Sequence, residues 1–165
     1  MIAAENVVER GRHTGDFADT ITLDEGQRHR RRMAMVSDGG IAFLLNLPEA
    51  RLLREGDGIL LDDGRVIEVK AKPEALYEVR GRDAVHLLNL AWHLGNRHLA
   101  AAIEETRILI RQDRVIREMV EGLGGTVKEV EAAFDPAGGA YASAHVHEGE
   151  AGHHPHGHGA HSHDH

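Results

Sequence analysis

Short alternations of apolar and polar residues fill the chain from about Thr20 to Lys72, each ending on a Gly, Asp or Pro turn signal. Ile21-Thr22-Leu23 alternates, Met33-Ala34-Met35-Val36 runs into Ser37-Asp38-Gly39-Gly40, and Ile41 to Leu47 is an apolar strand closed by Pro48. Gly58 to Leu61 and Arg65 to Ala71 flank Asp62-Asp63-Gly64, a hairpin signal because glycine accepts positive φ without steric cost. This spacing predicts a small all-β domain over residues 1–73, with Pro73 at its boundary.

From Glu74 the period changes. Leu76 to Val79 reads as a strand, and Asp83 is placed to cap a helix running to about Leu94, with Gly95-Asn96 as its C-cap. Its apolar Val85, Leu87, Leu88, Ala91, Trp92 and Leu94 cover more than half the circumference, which predicts a well-buried helix. Short strands follow near Leu99 to Ile103 and Arg107 to Arg111. Asp113 then caps a second helix with Val115, Ile116, Met119, Val120 and Leu123 at helical spacing; Gly124-Gly125 ends it, and Thr126 to Val130 forms a last strand. The order β-α-β-β-α-β predicts a ferredoxin-like domain over residues 74–143, with its helices on one face of an antiparallel sheet. The fold class is therefore α+β. Residues 144–165 collapse into His, Gly, Ala and Ser, too polar to offset the entropy of ordering, and are expected to be a flexible, disordered His-rich tail.

Composition narrows the function. Hydrophobic residues at 41% and charged residues at 28% describe a soluble globular protein. No apolar run reaches the roughly 18 residues of a membrane span, and Met1-Ile2-Ala3-Ala4-Glu5-Asn6 lacks the basic start and apolar stretch of a secretory signal. A cytoplasmic location without membrane contact is the expectation. A formal charge of −8 argues against nucleic acid and anionic lipid as partners. There is no cysteine, so a metal here would be held by imidazole, carboxylate, backbone or water.

Of 14 histidines, His13, His29, His86, His93 and His98 are scattered; the other nine fall in the last 21 residues. These are His145, His147, His153, His154, His156, His158, His161, His163 and His165. Alternation matters, because residues i and i+2 of an extended chain lie on one side and can share an ion. The tail holds no Lys or Arg, and Glu148, Glu150 and Asp164 add attraction for a cation. Imidazole suits Ni²⁺, with Zn²⁺ and Cu²⁺ as further candidates. A purification tag would usually be an uninterrupted run, and a functionless solvated tail is the other bland reading. Capture that must order a mobile chain is reversible, which suits carrying more than catalysis.

Other features read as structural. Arg28, Arg30, Arg31 and Arg32, with His29 among them, form a solvated strand face rather than a phosphate or RNA contact, since aromatics for stacking are few; an acidic protein partner is the open alternative. His86 and His93 share a helix face but stand too far apart for one ion, so they read as packed or capping residues. Gly56-Asp57-Gly58 lacks the lysine of a phosphate loop. No Ser-His-Asp ordering or carboxylate pair stands out, so the chain is not expected to be an enzyme.

His98, just past the first helix, reads on its own more readily as a surface or capping residue than as a ligand. The run His93-Leu94-Gly95-Asn96-Arg97-His98, however, resembles the signature of the urease accessory protein E family (UreE), the nickel metallochaperones of urease maturation. The likeness continues through Asp113-Arg114-Val115-Ile116, Leu123-Gly124, Phe134-Asp135-Pro136 and Gly139-Ala140-Tyr141. It is looser through the Arg-rich strand, Asp38-Gly39, Leu47-Pro48, Gly56-Asp57 and Asp63-Gly64. The resemblance implies a β domain similar to a chaperone peptide-binding module before the ferredoxin-like metal-binding domain. It implies a homodimer in which His98 of each subunit meets at the two-fold axis; since one imidazole is a weak monodentate site, tail imidazoles such as His145 or His147 are expected to complete it. It also implies contacts with urease apoprotein and a GTPase-containing accessory complex. The chain departs from some relatives in having no imidazole in Ile110-Arg111-Gln112-Asp113-Arg114. Two rivals stand beside this carrier: a general transition-metal buffer or storage protein using the tail alone, and a peptide-binding assembly module.

Overall fold

A computed structural model describes residues 1–138 as two lobes. The N-terminal lobe contains β1 (Ile2–Ala4), β2 (Asn6–Val8), β3 (Asp19–Leu23), α1 (Glu25–Arg28), β4 (His29–Val36), β5 (Ala42–Leu52), β6 (Gly58–Leu60) and β7 (Val66–Ala71). Its sheets, ordered β1-β5-β4 and β2-β6-β7-β3, share one core that includes Ile21, Phe43, Leu45, Leu53, Ile59 and Ile67. The hairpin at Gly64 forms as its sequence predicts: Gly64 has φ 90° and its N–H donates to the Leu61 carbonyl at 2.9 Å.

Three features differ from the sequence reading. The strands β1 and β2, three residues each, are too short to show an alternation; β1 runs parallel to the middle of β5. Pro48 does not close β5, which continues to Leu52. The β4–β5 register shifts between Arg30 and Arg32, and Pro48 lies in that irregular stretch, where a missing N–H breaks no ladder bond. Asp24 and Gln27 build a capping box around α1, each side chain accepting from the other's backbone N–H at 2.7 and 3.0 Å.

The C-terminal lobe runs β8 (Pro73–Arg80), α2 (Ala84–Asn96), β9 (Ala101–Ile103), β10 (Ile108–Arg111), α3 (Arg114–Gly122) and β11 (Thr126–Ala133). This is the expected β-α-β-β-α-β succession. The strands order as β11-β8-β10-β9, antiparallel throughout. Asp83 and Asp113 cap the helices, accepting from His86 N–H at 2.8 Å and Ile116 N–H at 3.1 Å. Tyr77, Val79, Ile108 and Ile110 pack under Leu90, Leu94, Ile116 and Val120, while Leu76, Ala102 and Leu109 pack with Phe134 in a separate cluster.

The expectation that α2 is buried on most sides is corrected. Leu90 and Leu94 are 1% exposed, but Val85, Leu88 and Trp92 are 68%, 69% and 68% exposed. A helix laid on a sheet covers one stripe; the second, at i, i+3 and i+7, has no cover among the described residues. The disorder expected for residues 144–165 lies outside the described residues.

Candidate metal centre

Helix α2 ends two residues later than its glycine suggests. The helix runs through Gly95 and Asn96, and Arg97 (φ −96°) is the C-cap. The left-handed position after it is taken by His98, with φ 55° and its N–H donating to the Gly95 carbonyl at 3.0 Å. Gly commonly fills this position because it has no Cβ to clash, whereas an L-residue there costs roughly 1–2 kcal/mol. His98 is the sole non-glycine with positive φ among the described residues. Its side chain is exposed and joins no hydrogen bond or ion pair among those residues.

One imidazole is a weak, single-donor site. Among the described residues no group of three His, Asp or Glu side chains is placed to hold a metal ion. Beside His98 lies a cleft of about 280 Å³ lined by Leu99, Ala100, Ile110, Arg111, Gln112, Asp113 and Ile116. Its carboxylate, Asp113, is already engaged in capping α3. Further ligands must come from elsewhere. Two observations bear on where: the exposed Val85-Leu88-Trp92 stripe climbs α2 toward His98, and Ala137 N–H donates to the Ala101 carbonyl at 2.9 Å. The chain thus reaches its last described residues three positions from His98.

The other described histidines are accounted for without metal. His86, 7% exposed, accepts from Arg82 N–H at Nδ1 (2.9 Å) and donates from Nε2 to the Leu123 carbonyl (2.9 Å), as its reading as a packed residue requires. His13 contacts Phe17 and the Asp16 carbonyl. His29 and His93 are exposed and cluster with no other ligand type. His145, His147, His153, His154, His156, His158, His161, His163 and His165 lie outside the described residues.

Sequence reasoning missed the polar clamp that fixes where the C-terminal segment departs. Arg28, read as part of a solvated face, is 0% exposed; it donates to the carbonyls of Leu23 (3.3 Å), Leu53 (3.0 Å) and Phe134, with Asp135 at 3.7 Å. Arg54 Nη1 donates to Asp135 Oδ1 and the Pro136 carbonyl, both at 2.6 Å. Arg111 pairs with Glu25 and stacks 5.3 Å above the Phe134 ring. Both lobes therefore anchor the chain at Phe134-Asp135-Pro136. The available signal was a lone aromatic followed by Asp-Pro after a polar strand.

The model of the "UreE urease accessory protein, N-terminal domain" matches residues 4–72, and that of the "UreE urease accessory protein, C-terminal domain" matches residues 74–165. The urease accessory protein UreE of Chelativorans sp. (strain BNC1) is 67% identical over 147 residues, 89% of each chain. That of Rhodopseudomonas palustris (strain HaA2) is 56% identical over 88% of this chain and 67% of its own length. That of Bradyrhizobium sp. (strain BTAi1) is 52% identical over 86% and 69% respectively. On these matches, which span both lobes, the chain belongs to the UreE urease accessory protein family.

Proposed function

We propose that the protein is a cytoplasmic nickel-binding metallochaperone that delivers Ni²⁺ to apo-urease during urease maturation, with no catalytic role of its own. The observation that carries the reading is His98: an imidazole unengaged among the described residues and held in a disfavoured backbone conformation, in a chain of this family. Strain of this kind persists where a site requires it. The cargo ion is held first by a pair of His98 imidazoles from two subunits. The exposed Val85-Leu88-Trp92 stripe supports a homodimer, since an isologous contact along α2 covers both copies and brings both His98 turns to one axis. In this arrangement residues 1–73 serve partner contacts, 74–143 the metal site, and 144–165 the ligand supply.

The tail histidines supply the remaining donors. From the anchored Pro136, His145 is nine residues on and reaches about 30 Å when extended, so His145 and His147 can close on the dyad while the later histidines hold further ions. Imidazole binds Cu²⁺ more tightly than Ni²⁺, and Zn²⁺ comparably well, so selection of nickel rests on supply and on partners. Those partners are urease apoprotein and a GTPase-containing accessory complex. A general metal buffer is the second reading, favoured by the nine histidines crowded into the last 21 residues.

Calorimetric nickel titration with mass measurement separates the two, using the full chain, the chain ending at Ala144, and His98→Ala. A carrier loses its tightest site with His98→Ala and most of its capacity with the truncation. If His98→Ala leaves the tightest site and cellular urease activity intact, the buffer reading stands instead.

A further inference from the structure

The arginines of β4 were expected to be a solvated face, and Arg28 has left that group for the interior. Arg30, Arg31 and Arg32 remain exposed, and register places Arg51 of β5 directly opposite Arg30. Among the described residues none of these four forms an ion pair, although the chain carries a net charge of −8 and pairs most of its other arginines. Arg31 donates only to the Leu47 carbonyl at 3.2 Å. The one carboxylate beside them on β5, Glu49, is exposed and pairs with none of them. Like charges facing each other across two strands weaken the pair. Edge charges do keep sheets from associating, but a second arginine opposite the first adds nothing to that protection.

The backbone is open here as well. β4 is the outer strand of β1-β5-β4, so half of its N–H and C=O groups point away from β5. Beyond the arginines the same strand presents Ala34 and the 62% exposed Val36. The surface thus combines an outer strand edge, a cluster of guanidiniums with no ion pair among the described residues, and a small apolar end. Nucleic acid fits it poorly, because the net charge of −8 opposes a polyanion and the two strands offer a single exposed ring, His29, with Phe43 0% exposed.

We infer that the outer edge of β4, with Arg30, Arg31, Arg32 and the facing Arg51, docks an extended acidic segment of a partner protein, which adds as a further strand. Backbone bonds to β4 hold the segment, its carboxylates meet the guanidiniums, and an apolar side chain covers Val36. This surface is independent of His98 and of the nickel reading.

The test uses the full-length protein and a fluorescein-labelled peptide of alternating Glu and Val, eight residues long to match β4. The expected result is salt-sensitive binding, weakened at least about tenfold in Arg30→Ala/Arg32→Ala/Arg51→Ala and unchanged in Arg114→Ala. Hydrogen exchange at the β4 amides of the unmodified protein should slow when peptide is bound, and nickel stoichiometry should be the same in all variants. Four results would overturn the inference. These are no binding of the acidic peptide at low salt, equal binding of a Lys-Val peptide, and tighter binding of a thymidine oligonucleotide through the same arginines. The fourth is a gain of about tenfold or more on truncation after Ala144, which would make the acidic tail, not a partner, the occupant.

Discussion

The two ends of helix α2 each carry a histidine, and the fold treats them in opposite ways. At the first turn His86 is buried, its two nitrogens matched to one backbone donor and one backbone acceptor, in a single tautomer. Past the last turn His98 is exposed, in a left-handed conformation that a glycine would adopt more easily. His86 ties α2 to Arg82 and to the end of α3. His98 ties nothing among the described residues. A ring with both nitrogens occupied has no lone pair left for a metal, and one with both free has its full chemistry available. The difference teaches that a candidate ligand is recognised by what its surroundings leave undone.

Substitutions can break or sharpen this contrast. His98→Gly should lower nickel affinity at the tightest site on the order of a hundredfold, as read by calorimetry. Leu88→Glu should have a similar consequence for that site by placing a charge in the proposed α2–α2 contact, and its mass should fall toward the monomer. If Leu88→Glu stays dimeric and binds nickel normally, the stripe is not where two copies meet. His86→Leu should leave nickel binding unchanged but lower stability by about 1 kcal/mol, because it removes the partners of a part-buried N–H and a part-buried carbonyl; chemical denaturation measures it. The folding effect of His98→Gly should be small and of either neutral or stabilising sign, about 1 kcal/mol at most. A large destabilisation there would mean that His98 serves the fold after all.

Acid separates the same two roles. In the proposed site neutral imidazole is the ligand, so nickel should leave as pH falls through about 6.5. The fold answers to other groups. The Ser37 hydroxyl, with Thr20 and Gly39 N–H, holds the Asp19 carboxyl below the usual range; the Thr20 and Thr22 hydroxyls do so for Asp38, and Arg80 and Arg107 for Glu78. A folded-state value below the unfolded one stabilises fully above about pH 4 and is lost as pH drops through the lowered value. Near pH 5 the protein should therefore be folded and depleted of nickel, which circular dichroism beside a metal titration would check.

Much of the C-terminal lobe was legible because its signals are local. Asp83 and Asp113 cap helices through bonds to residues three positions on, and Gly64 turns a hairpin through its own φ. The family was legible through the resemblance of the motif ending at His98, whereas the alternating tail histidines lie outside the described residues. Two local signals mislead. Gly95 looks like the helix stop, but α2 runs on to Asn96 and the left-handed turn falls at His98. Arg28 looked solvated beside Arg30, Arg31 and Arg32, but α1 turns it inward to carbonyls of three separate segments.

From the order of residues alone followed the strand and helix succession of the second lobe, the caps, the turns and the kind of donor a metal would meet, since each depends on neighbours within a few positions. Tertiary structure decided which of those residues are enclosed. Phe134 accepts from Arg28 across 106 positions, and the Val85-Leu88-Trp92 stripe stays open because the sheet beneath α2 reaches only its other face. Burial is a property of what the chain brings together from afar, and no periodicity along α2 could say which of its two apolar stripes the sheet would take.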